Sequence, residues 1–177
     1  MMYEQTFSAS EAAEITGVST DLQRKWRQIG ILGPRQGKGW TRWGPQELAG
    51  LMTLGKLAAV VGPTAAVQAM TESSAIKLGM LVYFQAMAAS AGGHQSGEDL
   101  GQIRYVALHP ERGPRLFSEP REAVEGATEP VVILDTQALG AELAERAGVL
   151  AFVSDAGPPP GNWRPAASSG SKAAGVS

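Results

Sequence analysis

The feature that most limits how this chain can fold is a short punctuated stretch, Gly17-Val18-Ser19, set between two helix-forming runs. Glycine can take the left-handed conformation that closes a helix. Serine just after it can cap the next helix by accepting an amide hydrogen bond. Upstream, Ser8 and Glu11 have the spacing of a capping box, so a first helix is expected to start there, carry Ala12, Ala13 and Ile15, and stop at Gly17. Downstream a second helix is expected over 20–29, ended by Gly30. Helix, short turn, helix is a helix-turn-helix pattern. On the second helix Leu22, Trp26 and Ile29 are expected to pack inward, leaving Thr20, Asp21, Gln23, Arg24 and Arg27 as a polar face.

After Gly30 the chain runs through Leu32 and Pro34 into Arg35-Gln36-Gly37-Lys38-Gly39, where glycines around a basic residue suggest a tight hairpin tip. Residues 40–43 are the expected returning strand. Strict alternation sets Trp40 and Arg42 on one face, Thr41 and Trp43 on the other. A helix from Pro45 follows, with Leu48, Leu51, Met52, Leu54 and Leu57 at helical spacing, broken at Gly62-Pro63. Short helices are expected over 64–70 and from Ser73 or Ser74 to Ala89. The cluster from Met80 to Met87 reads as core or as a dimer face. A loop is expected over 91–101, then strands over 103–108, 115–117 and 131–134, a helix over 136–147 and a fourth strand over 149–153.

These elements predict an α+β chain: a winged helix-turn-helix over 1–62, a helical connector or dimerisation segment over 63–101, a small α/β domain over 102–155, and a disordered tail over 156–177 rich in Pro, Gly, Ser and Ala.

Charge bears on what such a chain can meet. The net charge of −2 argues on its own against a polyanionic partner. Its distribution argues the other way. Residues 1–62 hold seven basic and five acidic side chains, whereas 63–155 hold six basic and twelve acidic. Between Leu22 and Gln46 there are six positive charges and no negative one. Because charge is screened within about 8–10 Å at ordinary salt, the local run counts for more than the total.

The chain has no cysteine, which excludes disulfides and thiolate metal sites. The N-terminal residues lack the basic flank and apolar run of a secretory signal, and no apolar stretch reaches the ~18 residues of a membrane span. A soluble cytoplasmic protein is expected. The two histidines, His94 and His109, sit in dissimilar contexts and do not suggest a shared metal. Asp135 after a strand stands where α/β proteins hold ligands, but its simpler role is to cap the following helix. No Ser/His/Asp set, glycine-rich phosphate loop or carboxylate pair stands out, so neither catalysis nor a cofactor is expected.

The run Gly17-Val18-Ser19, Arg24-Lys25-Trp26-Arg27-Gln28-Ile29-Gly30-Ile31-Leu32, Pro34-Arg35, Gly39-Trp40-Thr41-Arg42-Trp43, Leu48 and Leu51 resembles the DNA-binding domain of MerR-type regulators over about residues 7–59. Lys25 and Trp26 stand where that family usually has a tyrosine pair, Arg27 where it has glutamate, and Gln23 where leucine is common. The resemblance implies a winged helix-turn-helix, double-stranded DNA as partner and a homodimer. A second helix of this kind can enter the major groove, where side chains near its N-terminal half reach base edges. The expected DNA-binding residues are Ser19, Thr20, Gln23, Arg24, Arg27, Arg35, Lys38, Arg42 and Trp43. Arg24 and Gln23 are the candidates for base reading, since arginine suits guanine and glutamine adenine. Arg35, Lys38 and Arg42 are placed on phosphates or the minor groove. Trp40 and Trp43 are each expected first as core, since a small wing needs large side chains to bury. If one of the pair reaches the DNA backbone it is Trp43, which holds the place of the family's wing tyrosine.

Sequence-specific transcriptional regulation is the function expected first, with a small-molecule or protein effector acting on the C-terminal region. An accessory factor of phage or mobile elements, used in excision or packaging, is the second reading. A protein-interaction adaptor working through the acidic half is the third.

Overall fold

The computed structural model describes residues 6–32, 42–70, 72–90, 104–109, 113–127 and 131–148. The expected hairpin tip with Arg35 and Lys38, together with Trp40, the 91–101 loop, the 149–153 strand and the tail, lies outside the described residues.

The first three helices follow their local signals. Helix α1, Ala9–Thr16, begins with a complete capping box: the Glu11 amide donates to Ser8 Oγ at 3.3 Å, and the Ser8 amide donates to Glu11 Oε2 at 2.6 Å. It ends at Gly17 with φ of 74°, a left-handed cap that a side chain would strain. Ser19 caps α2, Thr20–Gln28, by accepting the Leu22 amide at 3.4 Å. Helix α3, Pro45–Val61, starts with proline in its first turn and stops at Gly62, where α4, Pro63–Ala69, turns away at 119°.

Helix α3 is the axis of the molecule. Every residue from Leu48 to Leu54 is buried, so it has no solvent face over that stretch and no amphipathic stripe to read in the sequence. Thr53 fits inside because its hydroxyl donates back to the Ala49 carbonyl at 2.7 Å. Helix α5, Glu72–Ser90, packs on α3 with Ala75, Leu78, Leu81, Val82 and Ala86 buried. The two helices meet where Gly50 faces Gly79, and a Cβ on Gly79 would stand 2.8 Å from the Gly50 Cα.

Two small sheets complete the fold. Strand β1, Phe7–Ser8, pairs antiparallel with β2, Arg42–Trp43, in the register Phe7 with Trp43 and Ser8 with Arg42. Residues 7–8 carry no strand signal; only their pairing makes them one. The second sheet has the order β4-β3-β5, built from β3 (Tyr105–His109), β4 (Gly113–Phe117) and β5 (Val132–Asp135), with both pairings antiparallel. The described strands therefore lack the parallel pairing that an α/β unit uses, and the fold is mixed helix and strand of α+β kind. One face, with Val106, Leu108 and Leu134, joins the main core, while α6, Pro120–Val124, lies against β3 and β4 with Ala123 buried.

Helix α7, Thr136–Ala147, follows β5 directly and packs on α5, α3 and α1. Lys56 of α3 pairs with Glu142 at 2.8 Å, Glu142 pairs with Arg146 at 2.7 Å, and Arg146 donates to the Ile15 carbonyl of α1 at 3.2 Å. A single buried cluster thus runs from Phe7 to Ala144, across the boundaries expected near residues 62 and 102. Among the described residues no single helix is long and apolar enough to cross a membrane.

Asp135 shows how α7 is tied to the sheet. Oδ1 accepts the Ala138 amide at 3.0 Å as the helix cap, and Oδ2 accepts Arg104 Nε at 2.9 Å and Nη2 at 2.7 Å. Burial works to raise the pKa of this carboxyl, yet the hydrogen bonds from Arg104 and the Ala138 amide hold it below its ordinary value. A carboxyl lowered in the folded state stabilises the fold above the unfolded carboxylate range and loses that contribution as pH falls through the folded value. Asp135→Ala is therefore expected to cost about 1–2 kcal/mol at pH 7, mostly from the cap because the Arg104 pair is partly exposed. In urea titrations the gap between the two proteins should shrink steadily on going from pH 5 to pH 2. A gap that is constant across this range would show that the charge of Asp135 contributes nothing.

Candidate nucleic-acid interface

The geometry of α2 is set by what it buries. Trp26 is fully buried, and Gln23, one turn earlier on the same side, is only 2% exposed. Gln23 Nε2 donates to the Ala9 carbonyl at 3.0 Å and the Val18 carbonyl at 2.8 Å, tying the start of α1 and the turn to the underside of α2. Thr16 braces the same turn, donating to the Ala12 carbonyl at 2.6 Å and accepting the Val18 amide at 3.3 Å. With that side pinned, Thr20, Asp21, Arg24, Lys25 and Gln28 point to solvent, and their spacing places them along one face.

The Arg24 side chain is 72% exposed, and among the described residues it is tied to Asp21, one turn back, by a 3.5 Å contact. Such a surface pair is worth about 0–1 kcal/mol at most, so the guanidinium exchanges partners at little cost. Arg42 is exposed on β2 above the start of α1. Hydrogen bonds from Ser8, with a smaller contribution from the positive charge of Arg42, hold Glu11 below the usual carboxylate range. Arg24, Lys25 and Arg42 are thus exposed cations carried on a rigid frame.

Three of the expected site residues prove to be internal. Gln23 was expected to read bases from a polar face, but that face is rotated: the inward arc holds Gln23 and Trp26, whereas Ile29, expected inside, is 52% exposed at the helix end. Arg27 was also expected outside. Its side chain is 12% exposed, its Cζ lies 3.7 Å from the centre of the Trp43 ring, and its Nη2 donates to Glu47 Oε1 at 3.3 Å. Trp43 is 0% exposed, which bears out its first reading as core and overturns the backbone contact offered for it. Arg42 and Trp43 take opposite faces of β2, Arg42 outward and Trp43 in the core, where it lies opposite Phe7.

Of the remaining candidates, Ser19 spends its hydroxyl on the α2 cap, Thr20 and Arg24 are available, and Arg35 and Lys38 lie outside the described residues. Lys25 and Gln28 belong to the exposed face and were not among the expected site residues. Their spacing from Arg24 and Thr20 is the signal that could have found them, once Gln23 was placed inside.

Two buried polar atoms of this region, Gln23 Oε1 and Trp43 Nε1, have no hydrogen-bond partner among the described residues. For Gln23 this bears on a substitution. Gln23→Leu removes an unpartnered acceptor but also takes the amide away from the Ala9 and Val18 carbonyls, and a buried acceptor left without its donor costs about 1–3 kcal/mol. The variant is expected to be less stable than the parent by about 1–3 kcal/mol while still folding. DNA retention, if base reading by Gln23 plays no part, should be unchanged; a loss matching that of Arg24→Ala would restore Gln23 as a contact.

Among the described residues no group of histidines and carboxylates is close enough together to hold a metal ion. No family model matches the chain, and no curated protein matches it either.

Proposed function

We propose that the chain binds duplex DNA through α1 and α2, with α2 in the major groove, and acts as a sequence-specific transcriptional regulator of MerR-like type. The observation that carries this reading is the single exposed face of α2, with Thr20, Asp21, Arg24, Lys25 and Gln28, backed by the buried Gln23 and Trp26. A recognition helix needs this combination: polar and cationic side chains free to meet base edges, on a helix whose own position is fixed. Arg24 is the base-reading candidate, Thr20 and Lys25 flank it, and Arg42 meets a phosphate. A homodimer on a symmetric site is part of the proposal, because one small module buries limited DNA-contacting surface.

A second reading keeps DNA binding and makes the protein an accessory factor of mobile elements or phage. It is favoured by α5, whose apolar side is spent on α3 and α7 within the chain rather than left for a partner helix.

The test is retention of pooled genomic DNA fragments at two salt concentrations, using the parent and an Arg24→Ala plus Arg42→Ala variant. Retention of few fragments, weakened by salt and reduced at least tenfold (about 1.4 kcal/mol) in the variant, is expected. Fragments from promoters favour regulation, and fragments from element ends favour the accessory role. No retention of any fragment by the folded parent would end the DNA-binding reading in both forms and leave the adaptor.

A further inference from the structure

The guanidinium of Arg27 lies where three elements meet. Its Cζ sits over the Trp43 ring of β2, 3.7 Å from the ring centre, and Nη2 donates at 3.3 Å both to Glu47 Oε1 of α3 and to the Arg42 carbonyl. Glu47 in turn accepts the Gly44 amide on Oε2 at 2.8 Å, which fixes the turn from β2 into α3. One planar cation therefore links the helix that carries Arg24 to the strand that carries Arg42.

We infer that Arg27 and Glu47 form the joint that sets Arg42 relative to the exposed face of α2, so that both cations reach the same duplex at once. Arg27 is thus a positioning residue, and its charge is spent inside the protein. The inference rests on the DNA-binding reading above and gives Arg27 a role different from contact. The chemistry supports a joint over a simple packing contact. Arginine can stack on an indole and at the same time direct separate N–H groups at a carboxylate and a carbonyl, whereas a lysine ammonium is a compact point charge without that plane. Phosphate contacts position a protein on DNA only if the cations that make them are themselves held in register.

The two roles predict opposite signs for one substitution. Glu47→Gln keeps an acceptor for the Gly44 amide and removes the negative charge that pairs with Arg27. If Arg27 were a phosphate contact, this change would leave DNA binding the same or tighten it. If Arg27 and Glu47 are a joint, it weakens binding, because Arg42 is no longer held in place.

The experiment is a double-mutant cycle of Glu47→Gln and Arg42→Ala on a fragment retained by the parent, with affinity measured across a salt series and folding checked by melting. The expected result is that each change alone weakens binding and lowers the salt slope by about 0.9, the value of one phosphate contact on B-DNA. The pair together should do no more than either alone. A loss of stability without a positioning role would give full additivity, and that outcome overturns the inference, as does tighter binding by Glu47→Gln. If Glu47→Gln does not melt cooperatively, Arg27→Lys takes its place in the cycle. It retains the charge, so a near-parental affinity and slope would mark a direct contact and overturn the joint. Failure of the folded parent to retain any fragment removes the DNA-binding reading and the joint together, whereas parental retention with an additive cycle removes the joint alone.

Discussion

Trp43→Ala is expected to lower stability by about 4 kcal/mol, within the range seen when large aromatic side chains are removed from cores. Three observations support so large a figure. The side chain is 0% exposed, it lies opposite Phe7 across the β1–β2 pair, and one of its faces is covered by Arg27. Truncation leaves a cavity at the point where β1, β2, α2 and α3 converge, and it strips Arg27 of its stacking partner. Domains of this size are stable by roughly 5–15 kcal/mol in total, so this one side chain carries between about a quarter and most of that margin. Trp43→Phe is the informative control. It keeps most of the apolar volume and discards an indole N–H that has no acceptor among the described residues, so about 1–2 kcal/mol is expected. Urea titration of the three proteins measures both. A cost below about 1 kcal/mol for the alanine variant would mean that the site collapses or that the ring is not in the core.

Gly140→Val should be nearly as damaging, at about 3 kcal/mol, for a reason that helix propensity alone gets backwards. Glycine inside a helix is worth about 1 kcal/mol less than alanine, so substitution of an exposed glycine would stabilise α7. Gly140, however, is the point where α7 crosses α5. A Cβ there would stand 2.5 Å from the Gln85 Cβ and 2.7 Å from the Ala86 nitrogen and the Gln85 carbonyl carbon. Two of these three obstacles are backbone, which cannot rotate away, so the helices must separate and lose contacts along their length. Overpacking of this kind costs typically 1–3 kcal/mol and sometimes more. Gly140→Ala should still be destabilising, by about 1–2 kcal/mol after its propensity gain. In thermal melts the valine variant should fall by about 6–12 °C, at 2–4 °C per kcal/mol for a chain of this length. A rise in Tm for the alanine variant would place the helices farther apart than described.

What could be read in the sequence was what neighbouring residues decide. The capping box at Ser8 and Glu11, the left-handed Gly17, the Ser19 cap, the start of α3 at Pro45 and the span of α7 follow from groups within four residues of each other. The simpler role expected of Asp135, capping α7, also falls in this class. What could not be read depends on partners far along the chain. Gln23 is inside because the Ala9 carbonyl, 14 residues away, accepts its amide. Arg27 turns inward toward Glu47, 20 residues on, and charge alone did not distinguish a solvated arginine from a paired one. Strand β1 exists only through its pairing with residues 42–43, and α6 is five residues long with one buried side chain. For the exposed face, the chemistry was legible and its rotation was not. A single buried polar residue moved the arc, bringing Lys25 and Gln28 into the face and taking Gln23 out.

The contact from Arg146 to the Ile15 carbonyl spans 131 residues of sequence, and this has a consequence for synthesis. The surface of α1 and α3 that α7 covers is made early, while its cover is made late. At about 5–20 residues per second the ribosome takes on the order of ten seconds to go from Ile15 to Arg146. During that interval the apolar side of the early helices is open to solvent and to whatever binds nascent chains. Protease digestion of stalled chains should show the first 62 residues cut readily until about residue 147 has cleared the exit tunnel, and resistant thereafter. Early protection, in chains that stop before β3, would instead mean that the first helices fold without waiting for the last.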